Sequence, residues 1–372
     1  MHFAGPFLFY FAERLAPGPA IPRHFGMITT ILLAALQASA PGAPTQADSS
    51  STGVMFTATG GTVTGGGLFT AGPTPGTYRV MAKYRSLADT SNVSIAGRGR
   101  GHAVALPFGA FDVRPDLLAP PYNSSVLSES PDHVLRHLAR ARAAGARLIV
   151  NFAGGSFKNV QNVDGTFSYD LWKARVDRFL PLKDPIDDYV RDGTLLAFMM
   201  IDEPHSAPSW GGQELPFALI EQMGKYSKSI WPGLATTVRS HATWLAQAPF
   251  DWANLDAAWS QYSARKGEVA AYLAANVMAA REAGLGLVTG LNVLDGGDGS
   301  SRAKGTYAGA FNMSSTEIRS YGKVLAADPY VCSFQIWKYD PDYLGQRDIA
   351  DALVEVAQVG SSLSHESCQV RR

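Results

Sequence analysis

The sequence predicts an α/β chain: a (β/α)8 barrel of the TIM type, preceded by a small all-β segment. From about residue 103 to 363 the chain repeats an apolar run, a polar loop and an amphipathic stretch of helical period. Roughly 260 residues of such units is the usual size of an eightfold barrel. The alternative, an open doubly wound sheet, calls for a glycine-rich phosphate loop after the first strand, and GAFDVRPD (109–116) is not one.

Taken in order, Ile28 to Ala40 is an apolar run of roughly 13 residues, too short to span a bilayer as a helix. Small and proline-containing residues follow it, with Ala40 and Ala47 as candidate cleavage positions. Residues 1–47 therefore read as a secretory leader, with Met27 a possible true start and a plain hydrophobic leader the competing reading. The expected location is outside the cell, in the periplasm or on the cell surface.

Residues 48–98 alternate Val, Thr, Phe and Tyr with Gly-rich and Pro-Gly punctuation, the pattern of short antiparallel strands. The stretches ATGGTVTGGGLFTAG, GTYRVMAKY and LADTSNVSI resemble the C-terminal portion of a bacterial immunoglobulin-like module, about half of the ~100 residues of such a sandwich. The resemblance implies a spacing or attachment role. RGRGH (98–102) reads as a linker.

Seven strands can be placed in the larger part: Val104–Phe111, Arg147–Phe152, Leu195–Ile201, Ala235–Arg239, Leu255–Gln261, Leu285–Val293 and Val331–Trp337. Several are continuous apolar runs, as parallel strands covered on both faces require. The eighth is expected within Phe167–Asp192, unless the barrel is incomplete. Helices are expected over Asp132–Ala144 with Ser130 as N-cap, Glu268–Ala283, Ser314–Ala327 and Asp348–Val359.

The 32 basic and 32 acidic side chains cancel, and no Lys/Arg run attracts nucleic acid or an anionic membrane. A neutral ligand such as carbohydrate suits this balance, and a monomer is expected. Cys332 and Cys368 either bridge a late strand to the tail or are a buried core residue and a free thiol. Neither CxxC nor a Cys/His cluster suggests zinc, and no cofactor is called for.

Functional side chains in a parallel barrel collect at the C-terminal ends of its strands. Those positions carry Asp112, Asn151, Asp202, Glu203, His205, Arg239, His241, Gln261, Tyr262, Asn292, Asp295, Trp337, Tyr339 and Asp340. Carboxylates for proton transfer, amides and His for hydroxyls and aromatic faces for pyranose C–H surfaces are what a sugar site uses. LLAFMMIDEPH (195–205) is the sharpest element, since an acid backed by an apolar barrel is placed to have a raised pKa.

A strand ending in acid-Glu-Pro resembles the acid/base strand of retaining glycoside hydrolases built on (β/α)8 barrels, whose usual pattern is Asn-Glu-Pro. The resemblance implies that Glu203 is the general acid/base, with Asp202 in the place of Asn. The last strand, ending Phe334-Gln335-Ile336-Trp337, resembles that family's final strand, where Trp lines the sugar site. The family's second Glu, on the penultimate strand, has no counterpart in GLGLVTGLNVLDGG (284–297), which leaves Asp295 or Asp340 as the expected second carboxylate. Asp112, Asn151, Asp202, His205, Arg239, Tyr262, Asn292 and Trp337 are expected to bind substrate. Competing readings are structural: Asp202 and Glu203 paired with Arg239, Asp112 with Arg114, Asp295 in a turn and Trp337 in the core. A barrel that binds glycan without cleaving it is the alternative function.

Overall fold

The computed structural model describes residues 54–59, 62–67, 69–70, 76–85, 87–95 and 106–369. The expected leader lies outside them. The chain divides into two compact units between Gly99 and Arg100.

Among the described residues, the first unit contains five strands: β1 Val54–Ala58, β2 Thr62–Val63, β3 Phe69–Thr70, β4 Gly76–Tyr84 and β5 Leu87–Ile95. β1, β4 and β5 form an antiparallel sheet in that order, and β2 pairs with β3. VMFTA alternates between half-buried and exposed residues, as a strand with one covered face does. Phe69 and Val80 are buried together, with Ala58 and Val63 against them.

The second unit is a closed barrel of parallel strands: β6 Phe108–Phe111, β7 Ser124–Ser128, β8 Arg147–Asn151, β9 Leu195–Asp202, β10 Ala235–Arg239, β11 Ala257–Tyr262, β12 Gly286–Leu291 and β13 Val331–Ile336. Each pairs with the next, and β13 closes on β6. It is a (β/α)8 barrel. The principal helices are α1 Pro131–Ala143, α2 Tyr169–Asp177, α3 Lys183–Arg191, α4 Phe217–Ile230, α5 Ala242–Leu245, α6 Val269–Glu282, α7 Ser315–Ala326, α8 Pro341–Leu344 and α9 Arg347–Ser361.

The strand expected within Phe167–Asp192 is not there, because that stretch forms α2 and α3. The missing strand is β7, SSVLS, with two apolar residues. Its serines are nonetheless buried: Ser125 Oγ donates to Val113 O at 2.7 Å, and Ser124 Oγ accepts from Gln335 Nε2 at 3.0 Å. Serines satisfied this way can occupy a barrel wall at little cost, so hydrophobicity does not mark the strand. Helix ends differ from expectation by a residue or two. The start of α7 is fixed by a reciprocal capping box between Ser314 and Glu317.

Val126, Ile149, Ala197, Met199, Ala235, Ala257, Trp259, Val288 and Cys332 come from seven consecutive strands and fill the barrel interior, with Phe111 of β6 against them. Cys368, from the tail, is part of the same cluster and is bonded to Cys332. A Cβ on Gly286 would meet Cys368 O at 3.1 Å and Ala257 Cβ at 3.2 Å, so the start of β12 has to be small for the tail to enter. The second, larger cluster, including Trp172, Phe179, Ile220, Leu273, Ile318 and Leu353, packs helices on the outside of the strands.

Candidate active site

Parallel pairing places Arg239, at the end of β10, opposite Asp202, at the end of β9. The Arg239 guanidinium clasps Asp202 from two nitrogens, through Nε to Oδ1 and through Nη2 to Oδ2 at 3.0 Å. Nη1 donates to Gln261 Oε1 at 2.9 Å, and Nη2 also lies 3.1 Å from Glu203 Oε1. Gln261 is fixed in turn, its Nε2 donating to Leu291 O at 3.3 Å. The guanidinium lies 5.8 Å from the centroid of the Phe111 ring, which stacks on Trp259. Burial lowers the affinity of Arg239 for its proton, but Asp202, Glu203 and the phenol of Tyr307 outweigh it and the net shift is upward.

Glu203 is held by its backbone. Its N–H donates to Arg239 O at 3.1 Å, and its carbonyl accepts from Ser206 N–H and Trp210 Nε1, both at 2.9 Å. Its φ of +44° is left-handed, and the proline that follows disfavours helical backbone on the residue before it. Asp112, at the end of β6, has φ of +63°. Such backbone costs of order 1–3 kcal/mol and persists where the surroundings enforce it. The Glu203 side chain is 37% exposed, so solvent reaches it. Burial raises its pKa most, opposed by Arg239, assisted by Asp202 and opposed again by Lys266.

A second group adjoins it. The His205 and His241 rings are 5.2 Å apart. His205 Nδ1 is 3.0 Å from Ser240 Oγ. His241 Nδ1 is 3.1 Å from Tyr272 Oη, and its Nε2 is 2.6 Å from Lys266 Nζ. The Tyr272 hydroxyl donates to Gln261 O at 3.0 Å, which spends its one proton. His241 must then carry its proton on Nδ1 and accept from Lys266 at Nε2, so it is neutral. Burial, Lys266, His205 and Arg239 push its pKa down to about 3. Burial also lowers Lys266, which Glu203 opposes.

The other expected site residues are placed differently. Asp295 is buried, with Oδ1 accepting from Tyr307 N–H at 2.9 Å and its carbonyl from Arg265 Nη2 at 3.1 Å. Asp340 caps α8 by accepting from Tyr343 N–H. Asn151 is buried and folds back on its own turn, accepting from Ala153 and Gly154 N–H. Asn292 Oδ1 accepts from Asp295 N–H at 3.1 Å. Tyr262 is 1% exposed, its hydroxyl on Gly267 O and its ring against Tyr272 and Tyr321 in the layer outside the strands. Asp112 is exposed and faces Lys338 at 3.7 Å, while Arg114 pairs with Asp116. Trp337 is half-buried beside Asn292, with Tyr307 stacked against it. Asp202, Glu203, Arg239, His205, His241 and Gln261 thus converge.

Lys266, Tyr272 and Tyr307 were not legible in advance. Lys266 lies four residues beyond Tyr262, the last position expected to contribute after that strand, and Tyr272 reads in sequence as one residue of the apolar stripe of α6. Among the described residues, no group of three or more His, Cys, Asp or Glu could hold a metal, and no helix is long and apolar enough to cross a membrane.

No family model matches the sequence, and no curated protein matches it either. Solved structures with a similar fold include a β-glucanase from Saccharophagus degradans, 12% identical, covering 69% of this chain and 88% of its own, with a TM-score of 0.46. A GH18 chitinase from Pseudoalteromonas aurantia is 11% identical, covering 67% of this chain and 99% of its own, with a TM-score of 0.42. An endocellulase from Pyrococcus horikoshii is 10% identical, covering 76% of this chain and 96% of its own, with a TM-score of 0.43. These are likenesses of fold.

Proposed function

We propose that this chain is a secreted glycoside-hydrolase-like barrel that acts on glycosidic bonds with Glu203 as general acid. The observation that carries the reading is the Glu203 carboxyl itself: reachable from solvent at the end of β9, held by its backbone, and raised in pKa by burial. A carboxyl whose pKa is raised holds its proton more firmly and is better placed to donate it to a leaving oxygen. Asp202 does not share that role, because both of its oxygens are committed to Arg239. Lys266, with one N–H directed at His241 Nε2, has further donors for sugar hydroxyls beside the acid. The disulfide between Cys332 and Cys368 supports export, since such bonds persist in oxidising compartments.

Asp295 is 1% exposed and Asp340 serves as the cap of α8, so neither is assigned the attack on the anomeric carbon. One observation favours the second reading, a glycan-binding barrel without turnover: Glu203 Oε1 is 3.1 Å from Arg239 Nη2, a contact that opposes protonation.

The test is a screen of the purified protein against aryl glycosides and a polysaccharide panel, following hydrolysis and binding together. Hydrolysis that drops at least about 100-fold in Glu203→Gln is the expected result. Binding without turnover selects the second reading, and neither activity across the panel rejects both.

A further inference from the structure

The loop after β11 holds an exposed lysine in one place. β11 ends at Tyr262, and Ala264–Lys266 form a single 3-10 turn in which Lys266 N–H donates to Ser263 O at 2.9 Å. Two hydrogen bonds pin that turn: Ala264 N–H donates to Gly296 O at 2.7 Å, and the Tyr262 hydroxyl to Gly267 O at 2.5 Å. Gly267 then leaves it at φ +85° and ψ −153°, a backbone region that is essentially reserved for glycine.

The side chain is held as well as the loop. Lys266 Nζ donates to His241 Nε2 at 2.6 Å, His241 Nδ1–H to Tyr272 Oη at 3.1 Å, and Tyr272 Oη to Gln261 O at 3.0 Å. The relay ends on the backbone of a barrel strand, so the ammonium is anchored to the barrel. Ordering an exposed lysine costs rotamer freedom, and this one is ordered by a neutral ring nitrogen instead of a carboxylate. Burial and the neighbouring Arg265 both disfavour its charge, and the anion that favours it is Glu203. Glu268, the next acid along the chain, is used to cap α6, accepting from Ala270 and Ala271 N–H.

Arg239 is committed to Asp202, Gln261 and Glu203. Lys266 keeps donors in hand, because an ammonium has three and one is directed at His241. A general acid is protonated at the moment it acts, and Glu203 then no longer offsets the Lys266 charge. A substrate that brings its own anion restores the balance. We infer that Lys266, anchored on His241, is a specificity-determining residue that binds an anionic group on the sugar, the carboxylate of a uronic acid or a sulfate ester. Either group presents several oxygens around a negative charge, which a compact ammonium meets as a point charge. The inference rests on the carbohydrate reading above and deepens it, but needs no turnover. The charge balance of the whole chain does not bear on it, since screening confines such a field to about 8–10 Å.

The experiment is isothermal titration of the full chain with three anionic probes, each beside a neutral counterpart, with hydrolysis assayed separately. Trigalacturonate and cellobiouronate are compared with their methyl esters, and neocarratetraose sulfate with its desulfated form. At least one anionic probe should bind about tenfold or more tighter than its counterpart, and Lys266→Met should abolish that preference. Lys266→Arg, which keeps the cation, should retain it. In wild type the preference should shrink as NaCl is raised, while binding of the neutral forms stays level. Preference for the uronates alone assigns the carboxylate, and preference for the sulfated probe alone assigns the sulfate ester. No preference for any anionic probe, or a preference that survives in Lys266→Met, would overturn the inference. Lys266-dependent binding without hydrolysis would reject the hydrolase and leave the anion site standing. Hydrolysis confined to neutral glycosides and unchanged in Lys266→Met would keep the hydrolase and overturn the anion site.

Discussion

At the scale of single residues, the site is organised by Arg239, whose guanidinium bonds Asp202, Gln261 and Glu203. Replacing it with Met would strand two neighbouring carboxylates without their cation, and the cost is expected at about 3–5 kcal/mol in chemical denaturation. In the same variant the Glu203 pKa should rise further, moving the basic limb of any pH–rate profile to higher pH. Glu203 itself gives a sign that can be checked. A carboxyl whose folded pKa lies above its unfolded value contributes stability that is complete below the unfolded pKa and lost as pH rises through the folded one. Thermal melts of Glu203→Gln should therefore show a Tm equal to or above wild type at neutral pH, with any advantage disappearing in acid. His241 runs the other way. With a pKa of about 3 against 6.5, its neutral form stabilises the fold fully above pH 6.5, and that contribution is lost as pH falls toward 3. His241→Gln, measured by Tm against pH, should flatten that part of the profile.

At the scale of elements, strand pairing turns scattered rim residues into a site. Asp202 and Arg239 are 37 residues apart in sequence and opposite each other in register. Loops carry the remainder, and the turn holding Tyr307 leads into α7, whose start is secured by Ser314 and Glu317. Glu317 Oε2 also accepts from Ser314 N–H and from Ser300 Oγ, so the cap is tied to the preceding loop. Ser314→Ala should cost about 1 kcal/mol in urea denaturation and leave the remaining helices intact by circular dichroism. A loss near zero would mean that tertiary packing, not the cap, fixes the start of α7. Element recognition from sequence worked where hydrophobicity was high, as in LLAFMMID, and failed at SSVLS, whose burial depends on hydrogen bonds from other strands.

At the scale of the barrel, the tail closes the chain on itself. Cys368 is buried among interior residues of the strands and joined to Cys332 across 36 residues. His365 lies between the carbonyls of Val331 and Gly360, 2.9 Å from each, and Glu366 N–H donates to Pro329 O. The Cys332→Ser, Cys368→Ser double variant should lose about 3–4 kcal/mol, the loop-closure value for a bridge of this span. Wild-type protein should show a similar fall in Tm under reductant. Equal stability with and without the bridge would mean that packing and hydrogen bonds alone hold the tail in place.

What the sequence by itself determined follows from periodicity and local chemistry. Apolar runs alternating with helical stripes specify a parallel barrel, and an acid placed after one such run marks the end of β9 as a rim position carrying Glu203. What only the tertiary structure decided follows from contacts between residues far apart in the chain. It committed both oxygens of Asp202 to Arg239, brought Lys266 to His241, turned Asp295 inward to hold Tyr307 and paired Cys332 with Cys368. A residue type shows what a side chain is able to do, whereas the partner it meets, set by strand register and loop closure, decides what it does.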